Sequence, residues 1–413
     1  MHMTAEARPP VQIFGTFDVG NYGDLLFPHI ARHRLAPLGF AVEPVSPAAA
    51  PMGWKDVMPA KPIREAAELP AKPAGILIGG GNIIHTGKAG IPDYNAFGER
   101  HAYASLWLGA TLAGCIHSVP VMWNAPGVPH PVPERLLSHW VMRHALEAAD
   151  YVSVRDNASA SHFGIRWQDE YMTVPDTAFE ISAVWPKASL APVFSHLLER
   201  KGISSDQKFA VFHVKGRSMD EPLENTAQLL ESFARAHGLM PILVALAPCH
   251  HDDTTTRQLG RLMRQPVVIL DDPEGLREIA AALAHAVLHV GSSLHGLITA
   301  LSYGVPAVVV RRPNLPKFSG FLSACGRSQD GAPTWREAVA IAASRLGSAC
   351  MDELKAAEIR SQLDIHWNRI AAILTAGKPN VARQGRFVRS YLQYGLRTSG
   401  WPWLLDPAAI PAS

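Results

Sequence analysis

Cysteine is scarce in this sequence: 4 in 413 residues, at Cys115, Cys249, Cys325 and Cys350, far apart and with no C-x-x-C. That spacing excludes a disulfide framework and a cysteine zinc site, and it points to reduced thiols in a cytosol. Long apolar runs are missing too. No stretch of about 18 apolar residues exists, which excludes a membrane-spanning helix. The opening MHMTAEARPP lacks the apolar stretch of a signal peptide, so the expected location is the cytoplasm. An excess of charge of one sign is also absent. Lys+Arg 38 against Asp+Glu 36 leaves +2, too little for a field that grips nucleic acid, and no such partner is expected. Gly 32 and Pro 33 are spread without a period, which excludes collagen, and no repeat of solenoid length occurs.

What the chain does contain is core material. Hydrophobic residues make up 47% and charged residues 18%, which excludes a disordered chain. At about 150 residues per domain the length predicts two to three domains. Short apolar runs predict strands over 11–17, 40–45, 75–78, 119–124, 151–155 and 172–174, with helices from about residue 25 and over 97–112 and 133–149. The rhythm lapses over 186–207, which reads as a linker, and then restarts. Strands are predicted over 209–214, 241–246, 267–270, 286–290 and 306–310, with helices over 221–237, 275–285 and 295–303; residues 334–376 read as helical. Alternation of this kind implies parallel sheets with helices on both faces. The fold class is therefore α/β, two Rossmann-like domains facing a cleft with a helical C-terminal extension. The expected units are 1–190, 200–330, helices over 331–377 and a basic aromatic tail over 378–413. Ligands in such sheets bind beyond the carboxyl ends of the strands.

Four segments follow predicted strands. In Gly20-Asn21-Tyr22-Gly23-Asp24 the glycines permit a tight turn and Asp24 can cap the next helix. Gly79-Gly80-Gly81-Asn82 lets backbone N–H groups approach an anion or a sugar, although it is neither a dinucleotide loop nor a P-loop. In Ser153-Val154-Arg155-Asp156 the arginine serves an anion or pairs with Asp156. The richest is Gly291-Ser292-Ser293-Leu294-His295-Gly296-Leu297-Ile298-Thr299-Ala300, ending in Gly304-Val305-Pro306, which sets His295 beside a helix N-terminus, a ready anion site.

These four segments, in this order, resemble the polysaccharide pyruvyl transferases, and the resemblance covers about residues 11–312. It implies a fold similar to GT-B glycosyltransferases. It also implies transfer of pyruvate from phosphoenolpyruvate onto a hydroxyl pair of a bacterial exopolysaccharide or cell-surface glycan precursor, as a ketal, with release of phosphate. Phosphoenolpyruvate would be a co-substrate, and no cofactor or metal is expected. Its two anionic groups need cations and N–H donors. Lys215, Arg217, Ser292, Ser293, Gly296 and Arg311 are the donor-side candidates, with Arg312 beside them. His295 is the candidate general acid, for the methylene carbon or for the leaving phosphate. Asn21, Gly80, Gly81, Asn82 and Arg155 are candidates for the acceptor side, and Asp24 for the base. Many family members resemble Ser-x-Arg-Leu-His-Gly, whereas Ser293 occupies the arginine position here, so the anion grip leans on Lys215, Arg217 or Arg311.

Two features stand apart. Cys249-His250-His251-Asp252-Asp253 reads as a cleft-lining loop rather than a metal site, since adjacent ligands rarely converge on one ion. The tail 378–413 carries a net +4 against −2 for the rest. Arg383, Arg386, Arg389 and Arg397 fall within about a third of a helical wheel. Phe387, Val388, Tyr391 and Leu392 take another face, with Trp401 and Trp403 following. This is the pattern of an anchor for an anionic membrane, where lipid-linked acceptors reside, or of a helix packed back across the domains. Two other functions compete with pyruvyl transfer: a nucleotide-sugar-dependent glycosyltransferase, and an inactive glycan-binding relative. Thr299 argues against the first, because it stands where an acid would clamp a ribose; His295 argues against the second.

Overall fold

The run Val11-Gln12-Ile13-Phe14 is buried along its whole length, as a strand covered on both faces requires. In the computed structural model, which describes residues 8–50, 53–66, 72–95, 101–137, 139–165 and 170–400, it is β1 (Val11–Phe14), the centre of a parallel five-stranded sheet. Its neighbours are β2 (Val42–Ser46), β3 (Lys61–Pro62), β4 (Gly75–Ile78) and β5 (Val121–Trp123), in the order β3-β2-β1-β4-β5. A parallel pair, β6 (Ser153–Val154) and β7 (Met172–Thr173), continues from β5 through a bridge between Met122 and Tyr151.

The second sheet holds β8 (Phe209–His213), β9 (Met240–Val244), β10 (Val268–Leu270), β11 (Leu288–Gly291), β12 (Ala307–Val310) and β13 (Gly331–Ala332). All are parallel, in the order β10-β9-β8-β11-β12-β13. Both sheets are doubly wound, and each reverses its strand order beside its first strand, where crevices for ligands open. The short strands β3 and β13 were not expected; two residues give no readable period.

The two halves share one core. Leu26 and Ile30 of the helix Tyr22–Leu35 join Leu283 and Leu297 from the second half in a single buried cluster. Backbone bonds also cross: the Tyr22 amide donates to the Leu246 carbonyl at 2.7 Å and the Cys249 amide to Gly20 at 3.2 Å. Asp56 caps the helix Leu276–His285 from the opposite half, accepting from the amides of Leu276 at 2.6 Å and Arg277 at 2.8 Å.

Several expectations are corrected. The supposed linker 186–207 contains the helix Lys187–Arg200, with Leu190, Phe194, Leu197 and Leu198 buried. That is an i, i+4, i+7, i+8 stripe, masked in the sequence by Pro192. Phe194 stacks on His285 of the helix Leu276–His285, with centroids 5.1 Å apart. The helix expected over 133–149 breaks into Glu134–Leu137 and Trp140–Glu147, with His139 accepting from the Val141 amide as the second N-cap. The helix expected over 97–112 runs on to His117 through a π turn at Ser105–Gly109; residues 97–100 lie outside the described residues.

The C-terminal helices return to the first half. In Glu353–Ala376, Trp367 donates from its indole to Glu180 at 2.7 Å, and His366 bridges Tyr151 Oη at 2.8 Å and Asn124 Oδ1 at 2.9 Å. The helix Val381–Ser399 packs on the first half as well: Phe387 is buried in that core, with Val388 and Tyr391 against it. Most of the apolar face read as a membrane anchor is therefore already covered by protein. Leu392 and the four arginines are exposed, and Trp401 and Trp403 lie outside the described residues. No described helix is long and apolar enough to cross a membrane.

Candidate active site

Between the carboxyl ends of the two sheets lies a cavity of about 380 Å³, lined from one side by Asn21, Asp24 and Asn82 and from the other by Lys215, Arg217 and His295. Its floor is a contact between two of the segments singled out above. His295 sits in the first turn of the helix Leu294–Ser302, and its ring lies directly on Gly23 in the first turn of Tyr22–Leu35. A Cβ at Gly23 would come within 1.6 Å of His295 Nδ1, so only glycine lets the ring in. Phe27, one turn further on, meets the ring edge-on at 5.6 Å.

On the first-half side, Asn21 rather than Asp24 is the helix N-cap residue. Asp24 instead accepts from Thr16 Oγ1 and from Asn21 Nδ2, each at 2.8 Å. Burial pushes its carboxyl above the ordinary value, while His295, Thr16, Lys317 and Arg155 draw it back in part. A group so placed is better suited to accept a proton than an exposed aspartate. The three glycines are required by close packing. All have positive φ, the Gly80 amide is spent on the Asn124 carbonyl at 3.2 Å, and a side chain at Gly80 would strike Phe27. Gly81 backs onto Asp24, where a Cβ would stand 2.6 Å from Oδ1. Neither Gly80 nor Gly81 lines the cavity; Asn82 does.

Arg155 also lines the cavity, but its guanidinium is largely committed. It donates to Asn82 Oδ1 and to Asp176 Oδ2 at 3.2 Å, with Asp156 at 3.8 Å. Asp176, whose side chain is 2% exposed, also lies 3.5 Å from His295 Nε2 and accepts from the Ala178 amide at 3.0 Å. Burial alone would raise its carboxyl, but His295, Arg155 and the Ala178 amide outweigh burial and hold it well below the usual range. Sequence reading missed Asp176, although it closes the strand signal at 172–174 as Pro175-Asp176, a carboxylate at a strand's carboxyl end.

The second-half side is cationic. Lys215 follows β8, and its ammonium is lowered by burial and by Arg217, with Asp252 opposing. Lys317, on the helix Pro316–Ala324 after β12, is pushed down to about 7 by burial and then by Lys215, Arg155 and Arg217. His250 is pushed down to about 4 by burial and by the charges of Lys215 and Arg217. Positive charge gathered at one wall in this way favours an anion beside it. Lys317 was missed because it stands beyond the last segment read for chemistry; it lines the same cavity as Ser293.

Other donor-side expectations resolve differently. Ser293 is the N-cap and accepts from the Gly296 amide at 3.4 Å, so that amide is engaged; the α-carbon of Gly296 packs on His289 and Leu246. Ser292 accepts from the Lys215 amide at 3.1 Å and shapes the turn instead of facing the cavity. Arg311 does not line the cavity. Its amide donates to Ala332 at 2.7 Å, prolonging the β12–β13 ladder, and its guanidinium turns to Ser319 at 3.3 Å. Arg312 donates to the Met219 carbonyl at 3.1 Å. The unforeseen β13 thus fixes Arg311 at the sheet edge. In the loop that starts at Cys249 the side chains diverge. His250 faces the cavity, Asp252 turns inward to His213 Nε2 at 2.9 Å, and Asp253 pairs with Arg257 at 2.5 Å.

Among solved structures the chain is similar to the Methanocaldococcus jannaschii UDP-GlcNAc 2-epimerase in complex with UDP-GlcNAc and UDP, with a TM-score of 0.52, 11% identity, and coverage of 89% of this chain and 99% of that one. The S. aureus MnaA–UDP co-structure gives 0.50 and 12%, over 95% of this chain and 97% of the other. The Neisseria meningitidis UDP-GlcNAc 2-epimerase bound to UDP-GlcNAc gives 0.50 and 11%, over 93% and 99%. Likeness at such identities is one of fold, and the fold is GT-B-like. No curated protein matches the sequence. The family model for polysaccharide pyruvyl transferase matches residues 21–314, a span that includes Asn21, Asp24, Asn82, Arg155, Lys215 and His295, and the chain belongs to that family.

Proposed function

We propose that this chain moves pyruvate from phosphoenolpyruvate onto two hydroxyls of a sugar acceptor, free or lipid-linked, forming a ketal and releasing phosphate. The observation that carries the reading is the division of the cavity. Lys215, Arg217 and Lys317 stand on one wall with His295; the carboxylate of Asp24 and the amides of Asn21 and Asn82 stand on the other, with Lys88 and the committed Arg155. A donor with a phosphate and a carboxylate suits the cationic wall. A neutral polyol suits Asn21, Asp24 and Asn82.

The chemistry follows from that placement. With cations on the phosphate the leaving group needs no further acid, which assigns His295 to the methylene carbon. The C2=C3 electron pair takes the His295 proton, and positive charge develops at C2. One sugar hydroxyl adds to C2 and loses its proton to Asp24. The second hydroxyl then displaces phosphate, which leaves with the electron pair of the C2–O bond, and its proton goes to the phosphate. The proton on Asp24 restores His295 through solvent.

The nucleotide-sugar alternative finds less support. Thr299 is fully buried and lies 3.2 Å from Tyr22 Oη, so the position where an acid would clamp a ribose points away from the cavity. The test is to incubate the protein with phosphoenolpyruvate and a panel of sugars and lipid-linked sugars. Phosphate release matched by a pyruvyl mass gain on one acceptor is the expected result. Turnover of UDP-sugars with none of phosphoenolpyruvate would sink the reading.

A further inference from the structure

A histidine that gives a proton to carbon needs its ring held in one orientation and one nitrogen left for the exchange. His295 Nε2 is buried, makes no hydrogen bond among the described residues, and lies 3.5 Å from Asp176 Oδ2, the carboxylate within ion-pair range of it. Nδ1 rests on the bare α-carbon of Gly23, where a side chain would cover it. Asp176 is itself held rigidly. It caps the turn Thr177–Glu180 through the Ala178 amide and takes Arg155 Nη1 on the oxygen that faces His295. An ionised carboxylate buried this deeply must be met by donors on its oxygens, and beside Arg155 the described residues place the His295 ring nitrogen within ion-pair distance of it.

We propose that Asp176 is the positioning residue of this site: its carboxylate holds the Nε2–H of His295, so that Nδ1 is the nitrogen that trades protons with the substrate. The competing role is structural, a turn cap and counter-ion to Arg155 with no bearing on His295. The chemical consequence rests on the pyruvyl-transfer reading; the pairing itself does not.

The experiment therefore has two arms. In the resting protein, nitrogen-15 NMR of labelled histidines, with His295 assigned by its loss in His295→Ala, reports the tautomer of the neutral ring. The Nε2–H form is expected; the Nδ1–H form overturns the proposal and needs no Asp176 variant to fold. Asp176→Asn keeps an oxygen for the Ala178 amide but removes the charge. Its expected effect is a kcat loss of about 100-fold, the lower end of a general-acid contribution, with the KM for phosphoenolpyruvate within about threefold. A loss in KM alone, or no loss, overturns the positioning role. If the tautomer is as expected while the wild-type protein never turns over phosphoenolpyruvate, the pairing stands and the pyruvyl-transfer reading is the one that fails.

Discussion

The two walls of the cavity are built on similar doubly wound sheets yet carry opposite chemistry. The first-half wall has two cations, Arg155, committed to Asn82 and Asp176, and Lys88, beside the carboxylate of Asp24 and the amides of Asn21 and Asn82. The second-half wall presents Lys215, Arg217 and Lys317, and among the described residues none of the three has a carboxylate within ion-pair distance. Cations left without carboxylates, with Lys215 and Lys317 lowered by burial and by neighbouring positive charge, are costly unless an anion completes them. On the proposed function, that difference places the anionic donor against the second half and the neutral acceptor against the first, with the Gly23–His295 contact as the seam.

The largest effect is expected at that seam. His295→Ala should cut kcat by at least about 100-fold, the share a general acid supplies. The fold should persist, since the ring is replaced by space that opens to the cavity. Steady-state kinetics beside a thermal melt check this, and near-wild-type turnover would remove His295 from the chemistry. Next comes the donor wall. Lys317→Ala or Lys215→Ala removes one charge-assisted contact, worth about 1.5–3 kcal/mol. The KM for phosphoenolpyruvate should rise about 10- to 100-fold while the acceptor KM holds. A rise confined to the acceptor KM would reverse the assignment of the walls.

A pH series sharpens the same point. Lys317 is pushed down to about 7, so in the free protein it is cationic below that pH and neutral above it. An anion binds the cationic form, so affinity for phosphoenolpyruvate should fall as pH rises through about 7, by up to about tenfold per unit for one required proton. Arginine does not titrate in this range. Lys317→Arg should flatten that limb, and an unchanged limb would mean another group sets it.

The sequence carried the sheets well and the site unevenly, for physical reasons. Buried strands such as Val11–Phe14 and Phe209–His213 announce themselves by continuous apolar runs. The helix Lys187–Arg200 was obscured by Pro192, and β13 by its two-residue length. Residues next to glycine-rich turns, His295, Asp24 and Asn82, were legible because the turn marks a strand's carboxyl end. Asp176 and Lys317 were not, because what makes them matter is a neighbour far along the chain: His295 for the first, Lys215 and Arg155 for the second. Arg311 misled for the converse reason, since its place at a strand end looked right until β13 claimed it.

The smallest expected effect lies on the acceptor wall, and it tests the comparison where it is weakest in charge. Tyr103 and His85 line the first-half side, their rings 3.8 Å apart between centroids and tilted by 41°. Burial and the neighbouring His130 push His85 down to about 4, so the ring is neutral at physiological pH. A neutral aromatic pair offers a sugar ring a face to stack on, and it offers a doubly anionic donor little. Contacts of this kind contribute about 0.5–1.5 kcal/mol, so Tyr103→Ala should raise the acceptor KM about 3- to 10-fold and leave the KM for phosphoenolpyruvate unchanged. Lys317→Ala should do the opposite. If both variants moved the same KM, the two walls would be serving one substrate, and the separation of donor and acceptor drawn from their charges would be wrong.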